Sequence, residues 1–567
     1  LKSRAQELIQ IGDRLFADRF PLLTLWQTFA ENFNPIRADF TRARYISEEF
    51  ASYLMTGRPV LAHRELTNAI SSILRPRGVQ WFKPSVEEEA INADPSNQKF
   101  FDFVAERMRS VMNNRQSQFR RATKEADGDY TLFGQAVIES RPNKMRDGML
   151  YRTWHLRDCV WTENANLVID GFHRKWKLDA RQLVRLGAES GWTLHPEVAK
   201  KAEKDPAAPC HCRVIVLPTD EYDSFGKDED GFTRKRNRNL PFVSVVIDED
   251  NQKVLEETPQ YELGYNIPRW VTIGGFSQYA YSPTAIVALP DGRMLQQMTL
   301  TLMEIGQKIV DPPLIAVGDA IQGGTNLYAG SINWVDPDYD ERTGEVLRPI
   351  PIDGSGLKWG TEYEERVEQV INEAFFLNVL NLPQYDQKEM TAEEWRGRMQ
   401  EYVRRSTPLF EPMDVEYNGL LCDSTFNDMA RMGMFGSPLD FPPALRGQEI
   451  KWTFTNPLVA AEAEQKTNSF TKLSQLIGAA IQIQPDVVAD VDYDVAFRDA
   501  IPGTGSPAKW IRPQDAANQL KAQNRQAQQA AQQANQLGAV AEHGGKIANA
   551  VGNVADAAKS LQDAGIV

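Results

Sequence analysis

The stretch Ile267–Ile315, IPRWVTIGGFSQYAYSPTAIVALPDGRMLQQMTLTLMEIGQKIVDPPLI, constrains the fold more than any other. It opens as an extended IPRWVTI and turns at Gly274-Gly275. Ser282-Pro283 reads as an N-cap and first helical residue. The serine hydroxyl satisfies an amide with no helical partner, and the fixed φ of proline suits the first turn. Leu295, Met298, Leu302, Ile305 and Ile309 then recur at alternating spacings of three and four. That is a helical stripe with a heptad-like packing seam. Asp311-Pro312-Pro313 ends the helix, because proline lacks the amide donor and clashes with the preceding turn.

On the N-terminal side, residues 1–75 read as helices, with apolar faces from Leu8, Leu15, Leu22, Leu25, Trp26 and Phe29 and an interruption at NPIRADF (34–40). LTNAISSILRPRGVQWF (66–82) is an apolar helix running into an extended Trp81-Phe82 pair. A second helical block, 97–126, leads to YTLFGQAVIE (130–139). From 150 to 275 the period shifts towards two. WHLRDCVW, NLVIDGFHRKW, RVIVLP, PFVSVVID and KVLEE read as strands, with Asp248–Asn251 as the turn joining the last two. Between them LDARQLVRLG (178–187) reads as a short helix closed by Gly187.

Beyond the long helix, 311–360 is rich in Gly and Pro with short strand-like pieces, INWV and RPIPI. Thr361–Glu364 is a capping-box signature. It is expected to open a helix with Tyr363, Val367, Val370, Ile371, Ala374 and Phe375 on one face. NLPQYDQKE (381–389) breaks that helix. Thr391–Glu394 opens another, which Pro408 and Pro412 should kink or divide. GSPLDFPP and a strand-like IKWTFTNP follow, and residues 461–500 return to helix. Between Gln514 and Gln536, 16 of 23 residues are Ala or Gln, both good helix formers. Low complexity is compatible with disorder, but Leu520, Ala527, Ala530, Ala534 and Leu537 keep a heptad spacing there, so a helix supported by neighbouring copies is the favoured expectation.

The chain has 567 residues, enough for several cores, and 42% apolar against 25% charged residues, so most of it should fold. Its net charge of −14 argues against a surface built to grip nucleic acid. Four cysteines, Cys159, Cys210, Cys212 and Cys422, are too few for a disulfide framework and suggest a reducing compartment. No run of 18 apolar residues is present, so no membrane span is expected. The N-terminal LKSRAQELIQ lacks the apolar core of a signal peptide and an initiating methionine, so residues are expected to be missing ahead of it.

Catalytic motifs are absent. There is no phosphate-binding GxxxxGK[ST], no HExxH and no GxSxG, so an ATP-driven motor and the common hydrolases are not indicated. Asp336, Asp338, Asp340 and Glu341 begin like a calcium loop, but its sixth position is Glu341 and its twelfth Leu347. Cys210-His211-Cys212 is too closely spaced for a zinc finger and reads as a strand edge. Arg234–Arg238 is the strongest basic run; it is suited either to touching nucleic acid or to a solvated loop, and the loop is favoured. No cofactor, metal or catalytic residue is expected.

The ordered set of elements resembles the head-to-tail connector, or portal, family of short-tailed bacteriophages. The matching elements are the apolar helix before Trp81-Phe82, Phe133-Gly134 before a strand, and Arg174 before an Ala-Arg-Gln-Leu helix. They continue with Tyr279 and Tyr281 before Ser282-Pro283, the Asp311-Pro312-Pro313 stop, Met390–Glu394 and Pro457-Leu458. No single motif decides; their order does, up to about residue 500.

The resemblance implies a mainly helical α+β portal fold. Residues 1–282 would be a helical and mixed-β wing, 283–310 a first stem helix and 311–360 a β-containing clip. A second stem helix at 361–380 would lead to a tunnel loop at 381–390, then a kinked wing helix and turns at 391–450. Residues 451–567 would form a C-terminal crown and helical barrel. Leu295, Met298, Leu302, Ile305 and Ile309 would pack the stem. Pro383, Gln384, Tyr385, Asp386, Gln387 and Lys388 would face DNA in the channel. The implied function is non-enzymatic: a ring at one capsid vertex of the virion, assembled in the host cytoplasm, through which double-stranded DNA is packaged and ejected. Implied partners are other copies in a dodecamer, terminase, the major capsid and scaffolding proteins, and tail adaptor or nozzle proteins, with no membrane. Twelve helices about 10 Å wide enclose a bore of roughly 28 Å, wide enough for a duplex roughly 20 Å across. The alternatives are another ring-forming tail or virion protein, or a virion-associated hydrolase.

Overall fold

The computed structural model describes the chain except residues 1–2, 46, 77–79, 226–239, 275–276, 317–320, 323–333, 337, 339–344, 346, 381–403, 406–411, 438–440, 455–456, 481–490, 501–516, 527 and 530–567. The fold is α+β and mainly helical, with small antiparallel sheets. The chain divides into two units, Leu1–Glu87 with Phe101–Ala461 and Glu88–Phe100 with Glu462–Val567.

Helix α1 (Arg4–Asp18) opens on a capping box: Gln6 N donates to Ser3 Oγ at 3.3 Å and Ser3 N to Gln6 Oε1 at 3.2 Å. Arg19 links α1 to α2 (Phe20–Phe33). Its buried guanidinium donates to the carbonyls of Leu156, Arg157 and Cys159, so one side chain satisfies a whole 3-10 turn. Helix α3 (Arg58–Leu74) leads to strand β1 (Phe82–Ser85). Past the short α4 (Glu89–Ala93), the expected block 97–126 is two helices, α5 (Pro95–Met112) and α6 (Phe119–Phe133). Asn114 caps a 3-10 turn between them, and Gln118 takes a left-handed φ of 58°.

Strands β2 (Val137–Pro142) and β3 (Met149–Trp154) form a hairpin. The period-two region is then an antiparallel sheet in strict chain order: β4 (Cys159–Glu163), β5 (Ile169–Asp179), β6 (Pro209–Pro218), β7 (Phe242–Asp248) and β8 (Lys253–Gln260). Side chains alternate between its faces. Ile215, Val245 and Ile247 meet Leu8 and Ile9 of α1. Cys210, Cys212 and Leu255 pack under α7 (Ala180–Ser190) and α8 (Pro196–Lys204). Cys210-His211-Cys212 therefore lies in the central strand of five, not at an edge. Gly187 does not close α7; Gly191 does, at φ 72°. Gly187 lies inside the helix because a Cβ there would meet Leu194 at 2.8 Å.

After the short α9 (Thr219–Ser224) and the sheet, β9 (Tyr265–Asn266) adds to β2. The expected strand IPRWVTI shrinks to β10 (Val271–Thr272), paired with β11 (Ala280–Tyr281). Pro268 offers no donor to a ladder, which limits pairing there. Helix α10 (Pro283–Val310) follows. Nested antiparallel pairs come next, β12 (Leu314–Ala316) with β15 (Leu347–Pro349), and β13 (Ile321–Gln322) with β14 (Trp334–Val335). The chain then enters α11 (Ser355–Ala374) and the short α12 (Leu377–Leu380). Past Pro412 the backbone takes a π-helical turn, Asp414–Gly419, before the helix Leu420–Arg431. Strand β16 (Lys451–Phe454) pairs with β1, and Trp81 stacks on Phe454 at 6.3 Å.

The second unit contains most of the helix Pro457–Ala480 and all of the helix Tyr493–Ala500, which meet through Phe470 and Phe497, whose ring centres are 6.0 Å apart. Thr467 Oγ1 donates to the Ala500 carbonyl at 2.6 Å. Residues 517–526 are helical and include Leu520; Ala527, Ala530, Ala534 and Leu537 lie outside the described residues.

Candidate functional site

The aromatic-rich approach to α10 is a knot of core contacts. Tyr279 is buried against Trp161 at 4.8 Å and edge-on to Trp26 at 6.3 Å. Burial pushes its phenol up to about 12. Ala280 N donates to Gln135 Oε1 at 2.8 Å. Ser282 Oγ accepts from Ala285 N at 3.2 Å, the expected N-cap, and donates to the Thr131 carbonyl at 2.7 Å. Phe133-Gly134 explains the close approach. Gly134 ends α6 at φ 79°, and a Cβ there would collide with the backbone of Tyr281 and Ser282. The start of α10 is thus fixed to the end of α6 by backbone as well as side chains.

Along its length α10 packs on α11. Leu295 is fully buried, while Met298, Leu302 and Ile305 are half-buried. Leu302 lies over Gly360 of α11, where a side chain would displace it, and Ile309 Cδ1 lies 3.3 Å from where a Cβ on Gly354 would be. Ile309 itself remains 39% exposed. Thr299 Oγ1 donates to Glu364 Oε1 at 2.5 Å. The base of the pair is anchored: Gln296 Oε1 accepts from Met55 N at 2.6 Å, Arg58 Nη2 donates to Asn372 Oδ1 at 2.6 Å, and Phe33 meets Phe375 edge-on at 5.2 Å.

Helix α11 starts at Ser355, not at Thr361. Thr361 Oγ1 donates back to the Leu357 carbonyl at 2.8 Å inside the helix, so the Thr-x-x-Glu pattern is not a cap here. Val367, Ile371 and Phe375 are buried as the expected face requires, but Tyr363 and Val370 are exposed. The loop residues Pro383, Gln384, Tyr385, Asp386, Gln387 and Lys388 lie outside the described residues, as do Met390–Glu394 and Arg234–Arg238.

One cluster was not foreseen. Arg75 at the end of α3 donates Nη2 to Asp127 and Nη1 to Asn418 Oδ1 at 2.9 Å, while Tyr417 Oη donates to Asp127 Oδ1 at 2.7 Å. Tyr417 and Asn418 belong to the π-helical turn, so a buried ion pair ties that turn to α3 and α6. Burial raises the Tyr417 phenol well above its ordinary value, and the adjacent Asp127 carboxylate adds to the rise. The only sequence signal was charge at helical positions that otherwise face a core.

These elements run in the order read from the sequence, and a family model described as "bacteriophage head to tail connecting protein" matches residues 5–511. The chain belongs to that family, which is structural rather than enzymatic and supplies the connection between phage head and tail. It is similar to the portal protein of Salmonella phage epsilon15, at 25% identity over 313 residues, 52% of this chain and 52% of that protein. The alignment thus spans about half the length of that relative. Among solved structures, a chain of the virion of a native gene transfer agent (GTA) particle aligns with a TM-score of 0.34 and 11% identity, covering 80% of this chain and 95% of that one. A chain from the neck of an empty GTA particle computed with C6 symmetry gives 0.36 and 9%, covering 76% and 90%.

Proposed function

We propose that this chain is a portal subunit whose copies form a dodecameric ring at one capsid vertex, enclosing the channel for double-stranded DNA during packaging and ejection. The observation that carries this reading is the two-sided character of the α10–α11 pair. One side is filled within the chain by Leu295, Met298, Leu302 and Ile305. A second set on the same helices, Met303, Val310, Trp359, Tyr363 and Val370, is exposed in a single chain. Side-by-side helices in a ring would cover it. The test is electron microscopy of the purified protein: a closed ring with about twelve subunits, by the bore argument, is the expected image. A stable monomer overturns the reading.

The nested strands between α10 and α11 form the clip, which would meet terminase during packaging and tail adaptors later. An exposed insert held between two helices suits such a role. Deleting 318–345 should leave rings intact and abolish adaptor or terminase binding. Residues Pro383–Lys388 would line the narrowest part of the channel. With Lys388 opposed by Asp386 and Glu389, the loop would touch DNA weakly and without reading bases. Gln384→Arg with Gln387→Arg would place about 24 added charges around a dodecamer and slow packaging or ejection, more at low salt. Unchanged rates at every salt concentration would remove the loop from the channel. The Ala/Gln-rich end would form a helical crown held by neighbouring copies. The isolated 510–567 peptide should then show little helix, since single short helices are marginal in water. The capsid and scaffolding proteins would meet the outer surface, and assembly would take place in the host cytoplasm. No helix among the described residues is long and apolar enough to cross a membrane.

A further inference from the structure

The chain is acidic overall, yet one pocket collects cations. It lies where the end of α3, the C-terminal part of α5 and the start of α6 converge, and has a volume of about 80 Å³. A water needs roughly 10–15 Å³ on the same measure, so the space holds several waters or one tetrahedral oxyanion. Arg75, Arg109, Arg120 and Lys124 line it, Trp81 forms an apolar wall, and no carboxylate contributes to the lining. Asp127 offsets the charge of Arg75, whereas Arg120 and Lys124 have no carboxylate partner among the described residues, and like charges held together cost free energy unless an anion offsets them.

Two of these cations are held in place. Arg75 is 9% exposed and fixed through Nη1 and Nη2 by Asn418 and Asp127, while its Nε has no hydrogen-bond partner. Arg120 Nε donates to Asn113 Oδ1 at 3.1 Å, which leaves its terminal nitrogens available on the pocket side. Lys124 lies one helical turn further along the same face of α6, at the i, i+4 spacing. Positioned guanidinium forks with a mobile ammonium suit a phosphate better than a carboxylate, because three or more oxygens can be met at once.

We propose that this pocket binds a phosphate group, held by Arg120 and Lys124 at the mouth and by the buried Arg75 Nε, which has no other hydrogen-bond partner, behind. The chemistry fits either free inorganic phosphate or one phosphodiester of a nucleic-acid backbone. The test titrates the full-length assembled protein with inorganic phosphate by calorimetry in low-salt buffer, and then repeats the titration in the presence of a short DNA duplex. The parent should bind phosphate saturably. Arg120→Glu with Lys124→Glu should weaken binding by at least about tenfold through lost charge-assisted contacts, while Arg120→Lys with Lys124→Arg should keep it. Both positions are exposed, so both variants should fold, and circular dichroism checks that they do. Competition by the duplex assigns the site to backbone phosphate; its absence assigns the site to the free ion. No saturable binding by the parent, or equal binding by the charge-reversed variant, overturns the proposal. Because the readout is phosphate affinity and not ring formation, it fails or succeeds independently of the portal reading.

Discussion

In the five-stranded sheet, buried charge is closed off inside the chain. Arg213 on β6 is fully buried, donates to the Ile9 carbonyl at 2.9 Å and to Asp13 at 2.6 Å, and pairs with Glu249. Gly12 leaves the space that the guanidinium fills. Along α10 and α11 the pattern is the reverse. Polar contacts are few, and large apolar side chains such as Val310, 86% exposed, and Trp359, 69% exposed, face solvent. Both regions follow the periodicity of their element. The sheet region finds its partners within one chain, whereas the helical pair shows a second face with none among the described residues. Large apolar side chains left in solvent on one helix pair are what an interaction surface would cover. The first region is a core closed within one chain, the second carries the face proposed above to meet neighbouring copies, and each reading can be broken.

The largest effect on folding should come from the closed type of site. Asp127→Asn leaves Arg75 buried without its counter-charge and should cost about 3–5 kcal/mol. Glu364→Gln, on the α10–α11 pair, should cost no more than about 1 kcal/mol, because the amide oxygen can still accept from Thr299 and only the charge on that bond is lost. Denaturant unfolding of the two variants side by side measures the difference; equal losses would erase the distinction.

Acid should act on the buried region next. Burial lowers His63 from 6.5 to about 4, and burial with the neighbouring Arg213 charge lowers His173 to about 3. Both are neutral in the fold and take up protons more readily when unfolded. Their contribution is complete above the unfolded value of 6.5 and declines as pH falls towards the folded values. By pH 5 each should have cost about 2 kcal/mol. Unfolding curves at pH 7 and pH 5 test this, and His173→Gln should remove part of the slope. A third change probes the helical pair itself. Gly360→Val pushes Leu302 aside and should cost about 1–3 kcal/mol. Hydrogen exchange should rise along α10 and α11 while β5–β7 stay protected.

How much of this was legible follows from what each signal depends on. Ser282-Pro283, the seam from Leu295 to Ile305 and the Asp311-Pro312-Pro313 stop are local rules, and the helix Pro283–Val310 obeys them. Alternation placed all five strands of the main sheet. Where structure and local pattern part, the cause is the tertiary setting, which a short stretch of sequence does not carry. Thr361–Glu364 has cap composition but lies inside α11, across its second and third turns, and Gly187 has C-cap composition but is needed for Leu194. The Arg75–Asp127–Tyr417–Asn418 cluster joins residues up to 343 positions apart, and no window along the sequence holds both ends. The family resemblance supplied what periodicity could not, a reading of these elements as wing, stem and clip that stays a proposal. The channel-facing side chains Pro383–Lys388 remain a proposal drawn from that resemblance.

The smallest effect on folding should accompany the largest effect on assembly. Trp359 and Tyr363 stack on the outside of α11, with ring centres 5.5 Å apart and planes 2° from parallel. Such an i, i+4 pair on an exposed helix stabilises it by only about 0.2–0.5 kcal/mol, and Val310 at the end of α10 has little to lose. Val310→Asp with Trp359→Asp should therefore change single-chain stability by no more than about 0.5–1 kcal/mol. If neighbouring copies cover this face, the same variant must bury two carboxylates at every subunit boundary. Burying an unpaired charge costs several kcal/mol, and a ring repeats that cost at each interface. Size-exclusion chromatography should show the double variant shifted to single subunits at concentrations where the parent forms rings, with unfolding midpoints nearly equal. Rings of normal size in the double variant would mean that this face is not the subunit interface. A large drop in the midpoint would mean instead that the α10–α11 pair, like the sheet, is a closed core, and the contrast between the two regions would be gone.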